Sequence, residues 1–265
     1  MEISNLTKER IRKSLKENKR FDSRGLLEFR DIKVETGVSK NAEGSARVRI
    51  GNTDIIAGVK MNVAEPYPDS QDEGVMTTTV ELLPLSSPEF EPGPPKIEAI
   101  ELARIIDRGI RESGFIDFKK LCIKEGEKVW MIFIDIFSLN NDGNLLDAAG
   151  IAAVAALLSA KMPKYDEKEE KVKFGELTEK GIPLTDAVPF NLTFHKVGES
   201  IILDPKKEEE ESSEGRLSVA FSNGKKLFIN AMQKGNEKPL SKEEVMNIIE
   251  EGTKKFKELF KKVHK

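Results

Sequence analysis

The chain has 265 residues, 38% hydrophobic and 34% charged, enough for one large domain or two small ones with a core beneath an ionic surface. A formal net charge of −3 excludes a global basic field, so any polyanion must be held by local patches. The single cysteine, Cys122, excludes an internal disulfide and suits a reducing compartment; its alternating strand context reads as a buried structural thiol.

In chain order, Thr7 to Asn18 predicts a first helix, with Thr7 as cap and Ile11 and Leu15 on one apolar face. No signal peptide is visible in the polar, charged segment that contains it. A charged, irregular stretch from Arg20 to Arg30 leads into strands over Asp31–Gly37, GSARVRI and DIIAGVKMNV, the last two joined by a tight Gly51-Asn52 turn. VMTTTVELLPL, from Val75, is a further strand. Before it, Ala64 to Gly74 is an acidic surface loop, and after it Ser86 to Pro95 carries four prolines. Pro94 and Pro95 suit the first turn of the next helix, expected from Lys96 to Ser113.

KKLCIKEG and KVWMIFIDIFSL read as strands, and Leu145–Ala160 as a helix apolar almost all round, hence buried between layers. That helix is too short to cross a bilayer and contains Asp147, so no membrane association is expected and a cytoplasmic location is. Pro163 to Lys173 reads as a loop. FNLTFHKV, SIILDP, RLSVAFSN and KLFINAMQKG are further strands, with Asn223-Gly224 marking a hairpin. Ser241 and Glu244 form a capping box opening a last helix to His264. Strands in hairpins interrupted by long helices give an α+β fold rather than a doubly wound one. With no linker long enough to divide it, the chain reads as a single domain over 1–265, an N-terminal helix within 1–19 and a core over 20–265. Abundant Lys and Glu, with glutamine only at Gln71 and Gln233, resemble the usage of proteins from hot environments.

Chemistry concentrates in few places. Where the apolar strand ending at Asn140 runs into the helix from Leu145, backbone N–H groups form a natural anion site. Phosphate-handling turns usually add Arg, Lys, Ser or Thr; Asn141-Asp142-Gly143-Asn144 adds an acid and no cation. His195 and His264 are the only histidines, and without HExxH or CxxC spacing neither a metal site nor a Cys–His pair is supported. No cofactor motif is present. On the helix from Lys96, Arg104, Arg108 and Arg111 fall within roughly 60° of one another, opposite Ala99, Leu102, Ala103, Ile106 and Ile110. Such a row repels itself unless anions intervene. Glu101 and Asp107 supply one answer, a solvated ionic face; a phosphate backbone gripped by guanidinium groups supplies another. Chemistry alone favours the first. Asp204, at the end of SIILDP, is placed to be a general acid, whereas KKEEEESSEG after it reads as a flexible, solvated loop. Arg20, Arg24 and Arg30 lie near Asp22, Glu28 and Asp31, which could neutralise them as a structural network.

Taken together, GSARVRIGNTDIIAGVK, RFDSRGLLEFRDIKVETG, and LLDAAGIAAVAALL followed by GIPLTDAVPF resemble the RNase PH family in order and over nearly the whole chain. NVAEPYPDSQDEG and IEAIELARIIDRGIRES resemble, within that family, the non-catalytic ring subunit of the archaeal exosome. The resemblance implies a hexameric ring in which this subunit alternates with a catalytic RNase PH-like one. It also implies RNA-binding cap subunits and phosphate-dependent degradation of single-stranded RNA from its 3′ end. Catalytic members hold phosphate with a Gly-Gly-Thr-Arg or Gly-Ser-Arg type loop. Here Asn141–Asn144 stands instead and the anchoring arginine is absent. Of the family's two acids six positions apart, Asp204 matches the first and Glu210 the second, so Asp204 is implied to be a vestige and no residue catalytic. Arg104 and Arg108 match positions that contact RNA, and on that ground the RNA reading of the arginine row takes precedence. An autonomous phosphate-dependent 3′-exoribonuclease and a plain RNA-binding protein are the alternatives.

Overall fold

The structure is a computed structural model that describes residues 3–224 and 226–263. Two β-sheets face each other across two helices, with a third long helix closing the outside. The first sheet contains β1 (Ile32–Thr36), β2 (Gly44–Ile50), β3 (Thr53–Ala64), β4 (Val75–Leu82), β5 (Cys122–Lys124) and β6 (Lys128–Asn140). Its order is β1-β2-β3-β6-β4, with β5 pairing β6. All pairs are antiparallel except β4 with β6. That parallel pair needs a crossover, and α2 (Ile97–Ser113) supplies it. After α3 (Leu145–Ser159), β7 (Lys161–Asp166) and β8 (Lys171–Gly181) form a separate hairpin. The second sheet, order β10-β9-β11-β12, comprises β9 (Pro189–Val197), β10 (Ser200–Leu203), β11 (Gly215–Ser222) and β12 (Phe228–Gly235). The short α4 (Lys207–Glu211) lies between β10 and β11, and α5 (Lys242–Val263) ends the described chain. The α+β expectation holds.

Strand β9 explains the layering. Every residue from Pro189 to Val197 is buried, so both faces of the strand are covered. Phe194, with Phe221 of β11, packs beneath α5 at Gly252. The alternate residue Asn191 reaches the opposite way, between Gly109 of α2 and Gly150 of α3. A Cβ at Gly109 would lie 2.9 Å from the Asn191 amide oxygen, so the helix approaches the sheet at a distance that glycine permits. Helix α3 is buried on all sides from Leu145 to Leu157, as its composition predicts. One hydrophobic core runs through both sheets, from Val48 and Ile134 of the first through Ile151 to Leu192 and Phe256, and a small second cluster joins Ile11 and Leu15 of α1 to Val197 and Ile202.

Several boundaries differ from the sequence reading, each for a local reason. Helix α1 is Asn5–Lys16, two residues earlier than expected, because Ser4 rather than Thr7 is the cap; the Ser4 hydroxyl accepts the Thr7 N–H. Pro94 and Pro95 precede the N-cap Lys96 instead of occupying the first turn. KKLCIKEG is a 3-10 turn over Phe118–Leu121 followed by a three-residue strand, its turn capped by Asp117. Cys122 on that strand is half-buried rather than buried. Pro163 to Lys173 is hairpin rather than loop: β7 and β8 pair each other, and Met162, Tyr165 and Val172 pack against the core, Tyr165 edge-on to Trp130. The capping box holds, with Glu244 N–H donating to the Ser241 hydroxyl at 3.1 Å and Ser241 N–H to the Glu244 carboxylate at 2.7 Å. His264 lies outside the described residues. Among the described residues no helix is long and apolar enough to cross a membrane.

Candidate functional site

The strand-to-helix turn between β6 and α3 has the geometry of an anion site, and the protein fills it with its own carboxylates. Asn144, the N-cap of α3, is left-handed (φ 58°), and its side chain caps no backbone N–H. Its own N–H instead donates to the Glu210 carboxylate at 3.4 Å. Burial pushes Glu210 above the ordinary carboxylate range, against the pull of Lys207 and the Asn144 N–H. Asp147 adds a second acid in the first turn, fully buried, with one oxygen accepting the Thr193 N–H at 3.2 Å. A negative group at a helix N-terminus is favoured by the helix dipole, but burial pushes both acids up, Asp147 to about 7, so the turn is occupied by two internal carboxyl groups held toward their protonated forms.

No cation is near the turn in sequence, but the fold brings one from 112 positions away. Arg30 lies over the turn with all five of its N–H groups engaged. Nη1 donates to the Asp142 carbonyl at 2.7 Å and to its carboxylate at 3.3 Å. Nη2 donates to the Gly143 carbonyl at 3.1 Å and to Asp204 at 2.7 Å, and Nε donates to Asp204 at 2.9 Å. A guanidinium so occupied has no donor left for phosphate. Gly143 makes the closure possible: with φ 84° and a Cβ position only 2.5 Å from the Pro205 carbonyl, it lets the segment after Asp204 press onto the turn.

Asp204 is 0% exposed and serves as the hub. Besides Arg30 it accepts from Arg24 at 2.9 Å, from the Arg30 N–H at 2.8 Å and from the Asn144 amide at 2.9 Å. Burial opposes its ionisation, but the hydrogen bonds and charge of Arg30 outweigh that and hold the carboxyl below its ordinary range. A carboxylate so held is ionised at neutral pH and has no proton to donate, so the geometry does not support the general-acid reading of Asp204.

The arginine cluster that leads into β1 finds different partners from those expected. Arg24 does bond Asp22 at 2.8 Å. Arg20 is buried in an ion pair with Glu209 and donates to the Leu203 and Asp204 carbonyls. Glu28 offers its carbonyl to Arg24 and its carboxylate to the Gly25 N–H, and Asp31 pairs, among the described residues, with Lys33 at 3.9 Å. The acidic run after Asp204 is therefore not a solvated loop: it forms α4 and turns Glu209 inward. Sequence spacing could not reveal these pairs, since their members are more than a hundred positions apart.

Beside the turn, a cleft of about 690 Å³ opens between the proline-rich loop, α2 and α3. Six carboxylates line it (Glu81, Glu89, Glu91, Glu98, Glu101 and Glu210) against Lys96, Lys207 and Arg216. Lys207 lies 2.8 Å from Glu89, Lys96 lies 2.7 Å from Glu91, and Arg216 is paired with Glu101. The cleft is poorly suited to a phosphate.

On α2 the predicted arginine row is present and divides. Arg111 makes two 3.0 Å bonds to Asp107 and one to the Met76 carbonyl, so it is a structural residue. Arg108 meets Glu112 at 3.5 Å in solvent. Glu101, expected to neutralise the row, turns to Arg216 instead. Arg104 is exposed, with no carboxylate within ion-pair distance among the described residues. Arg104 and Arg108 form a ridge between two open grooves. One, of about 830 Å³, is shared with β12 through Asn230, Met232 and Gln233; the other, of about 600 Å³, is shared with β4 through Thr77 and Thr79. Both strands are sheet edges, so unpaired backbone groups flank the ridge on either side.

His195 is buried in β9, and neither ring nitrogen has a partner among the described residues. Burial and the charge of Arg216 push it down to about 3, so it is neutral at physiological pH. Among the described residues no group of three or more His, Cys, Asp or Glu side chains is placed to hold a metal ion.

The chain is similar to known proteins along nearly its whole length. The pattern of the 3′ exoribonuclease family, domain 1, matches residues 28–163, and that of domain 2 matches residues 187–255. Exosome complex component Rrp42 of Thermococcus gammatolerans is 47% identical over 259 residues, covering 98% of this chain and 94% of its own. The protein of the same name from Pyrococcus furiosus is 45% identical, with 98% and 93% covered. Among solved structures, a chain of the Archaeoglobus fulgidus exosome with RNA bound to the active site superposes with a TM-score of 0.87 at 40% identity, over 97% of this chain and 98% of that one. A chain of an archaeal exosome core gives 0.85 at 35%, over 98% and 97%. With both domain patterns matched in order and relatives this similar over nearly their full length, the chain belongs to the 3′ exoribonuclease family of RNase PH proteins.

Proposed function

We propose that this chain is a non-catalytic subunit of an archaeal exosome ring, which takes part in phosphorolytic 3′-to-5′ RNA degradation without performing the chemistry itself. One observation carries this reading: the family's phosphate position is filled from within. Arg30 spends all five donors on Asp142, Gly143 and Asp204, and Glu210 occupies the helix N-terminus. A phosphate would have to displace a buried ion pair, and Asp204, held ionised, is a vestige of the family acid. Phosphorolysis needs a positioned phosphate nucleophile, and nothing at this turn would position one.

The function left to the chain is to build a neighbour's active site and to grip RNA there. Arg104 and Arg108 carry the grip, because they are the exposed members of the row and stand over open grooves. Its partners in this reading are a catalytic RNase PH-like subunit, alternating with it in a hexameric ring, RNA-binding cap subunits and single-stranded RNA, in the cytoplasm. The names of the relatives, all components of exosomes, support the assembly. The chain would act as one domain, since one core runs through both sheets.

The test is Arg104→Glu with Arg108→Glu in the mixed complex. RNA affinity should fall at physiological salt while the complex still forms on gel filtration, because neither side chain supports the fold. Unchanged affinity would return the row to a solvated ionic face.

A further inference from the structure

Helix α1 presents a second positive surface, at the opposite edge of the four-stranded sheet from the arginine ridge. Between Lys8 and Lys19 stand six cations (Lys8, Arg10, Arg12, Lys13, Lys16 and Lys19) against two acids, Glu9 and Glu17, in a chain whose net charge is −3. Ile11 and Leu15 fix the helix to Val197 and Ile202. At about 100° per residue, Leu6, Arg10 and Lys13 then fall within roughly 60° of one another on the side facing away. Arg12 is neutralised by Glu214, and Lys19 lies 3.6 Å from Glu17. Lys8, Arg10, Lys13 and Lys16 have no carboxylate within ion-pair distance among the described residues. Next to them the Arg10 guanidinium stands 6.0 Å from the ring centroid of Phe21, and Phe21 is 57% exposed. Leu6, on the same face, is 69% exposed.

Unneutralised cations beside an open aromatic ring are the two components of single-strand binding: charge for the phosphates and a flat surface for a base. An acidic protein surface would satisfy the lysines, whereas RNA uses every part of the patch, its phosphates the cations and its bases the open ring beside the guanidinium. We infer that the outer face of α1, with Phe21, is a second contact for single-stranded RNA, a deepening that rests on the RNA-binding reading above. It is separate from the first. α1 packs at the β10 edge of the four-stranded sheet and the Arg104–Arg108 ridge stands beside β12 at the other edge. Three strand spacings put those edges about 14 Å apart. A short RNA held at one contact does not reach the other; a long one spans both.

The experiment measures RNA affinity by fluorescence anisotropy against salt, for the full chain mixed with a catalytic RNase PH-like subunit, using a short and a long poly(A). Arg10→Glu with Lys13→Glu should weaken the long RNA by roughly tenfold and flatten the slope of log affinity against log salt by about 0.7 for each phosphate no longer neutralised. Binding of the short RNA should not change. Phe21→Ala should weaken the long RNA with the slope preserved, since stacking releases no counterions. Unchanged affinity for the long RNA overturns the inference. So does loss of the mixed complex on gel filtration, which would make α1 a protein interface. If Arg104→Glu with Arg108→Glu is silent too, the RNA-binding reading itself falls; if only the α1 variants are silent, this inference falls alone.

Discussion

Replacing Arg30 by alanine tests whether the turn is sealed by a buried ion pair. The substitution removes six hydrogen bonds at once, three to main-chain or side-chain oxygens of Asp142 and Gly143, two to Asp204 and a longer one of 3.4 Å to the Pro205 carbonyl. It leaves the fully buried Asp204 carboxylate with Arg24, the backbone N–H of residue 30 and Asn144. Removing one partner of a buried pair costs about 3–5 kcal/mol, most of it the uncompensated charge. For a chain of this size each kcal/mol lowers the melting midpoint by about 2–4 °C, so a fall on the order of 10 °C is expected by differential scanning calorimetry. Lys33→Ala, which removes an exposed pair at 3.9 Å, should cost less than about 1 kcal/mol. The double variant Arg30→Met with Asp204→Asn should recover part of the loss, because it removes both charges while asparagine tolerates the left-handed backbone at position 204 (φ 49°). A cost below about 1 kcal/mol for Arg30→Ala, or simple additivity of the single variants Arg30→Met and Asp204→Asn, would refute this coupling.

Asp147, pushed up to about 7 by burial, binds its proton more tightly folded than unfolded. Its ionisation therefore erodes stability as pH rises from about 4 to about 7. Asp147→Asn should be increasingly more stable than the parent over that window, by up to a few kcal/mol, with a constant difference above it; equal urea midpoints at pH 5 and pH 8 would contradict this. One core through both sheets predicts a single unfolding transition for the isolated chain, checked by calorimetry, where two separated transitions would argue for independent units. The Lys- and Glu-rich composition, with ion pairs such as Lys254 with Glu250 and Glu251, predicts a midpoint above about 60 °C.

The legible parts of this protein were those set by local pattern. Period-two alternation marked β2, β3 and β6 almost to the residue, and the all-round apolar Leu145–Leu157 announced a helix between layers. The capping box at Ser241 was readable because its chemistry lies within four positions. Failures came where tertiary contact overrode composition. The charged β7–β8 hairpin looks like a loop, and KKEEEE looks solvated until Arg20 is found buried against Glu209. At the site, the wrong side chains for phosphate were visible in Asn141–Asn144, but their consequence was not. That Arg30 plugs the turn and Asp204 is locked depends on strands meeting from opposite ends of the chain. The arginine row was legible as a helical face, whereas its division into structural Arg111 and exposed Arg104 needed the neighbouring Met76 and Asp107.

If the fold persists while its phosphate position is closed, the decisive measurement is phosphorolysis of poly(A) by the purified chain with and without a catalytic RNase PH-like subunit. The chain alone should release no nucleoside diphosphate, and the mixture of the two should release nucleoside diphosphates. Phosphate-dependent shortening of poly(A) by the chain alone would contradict that closure.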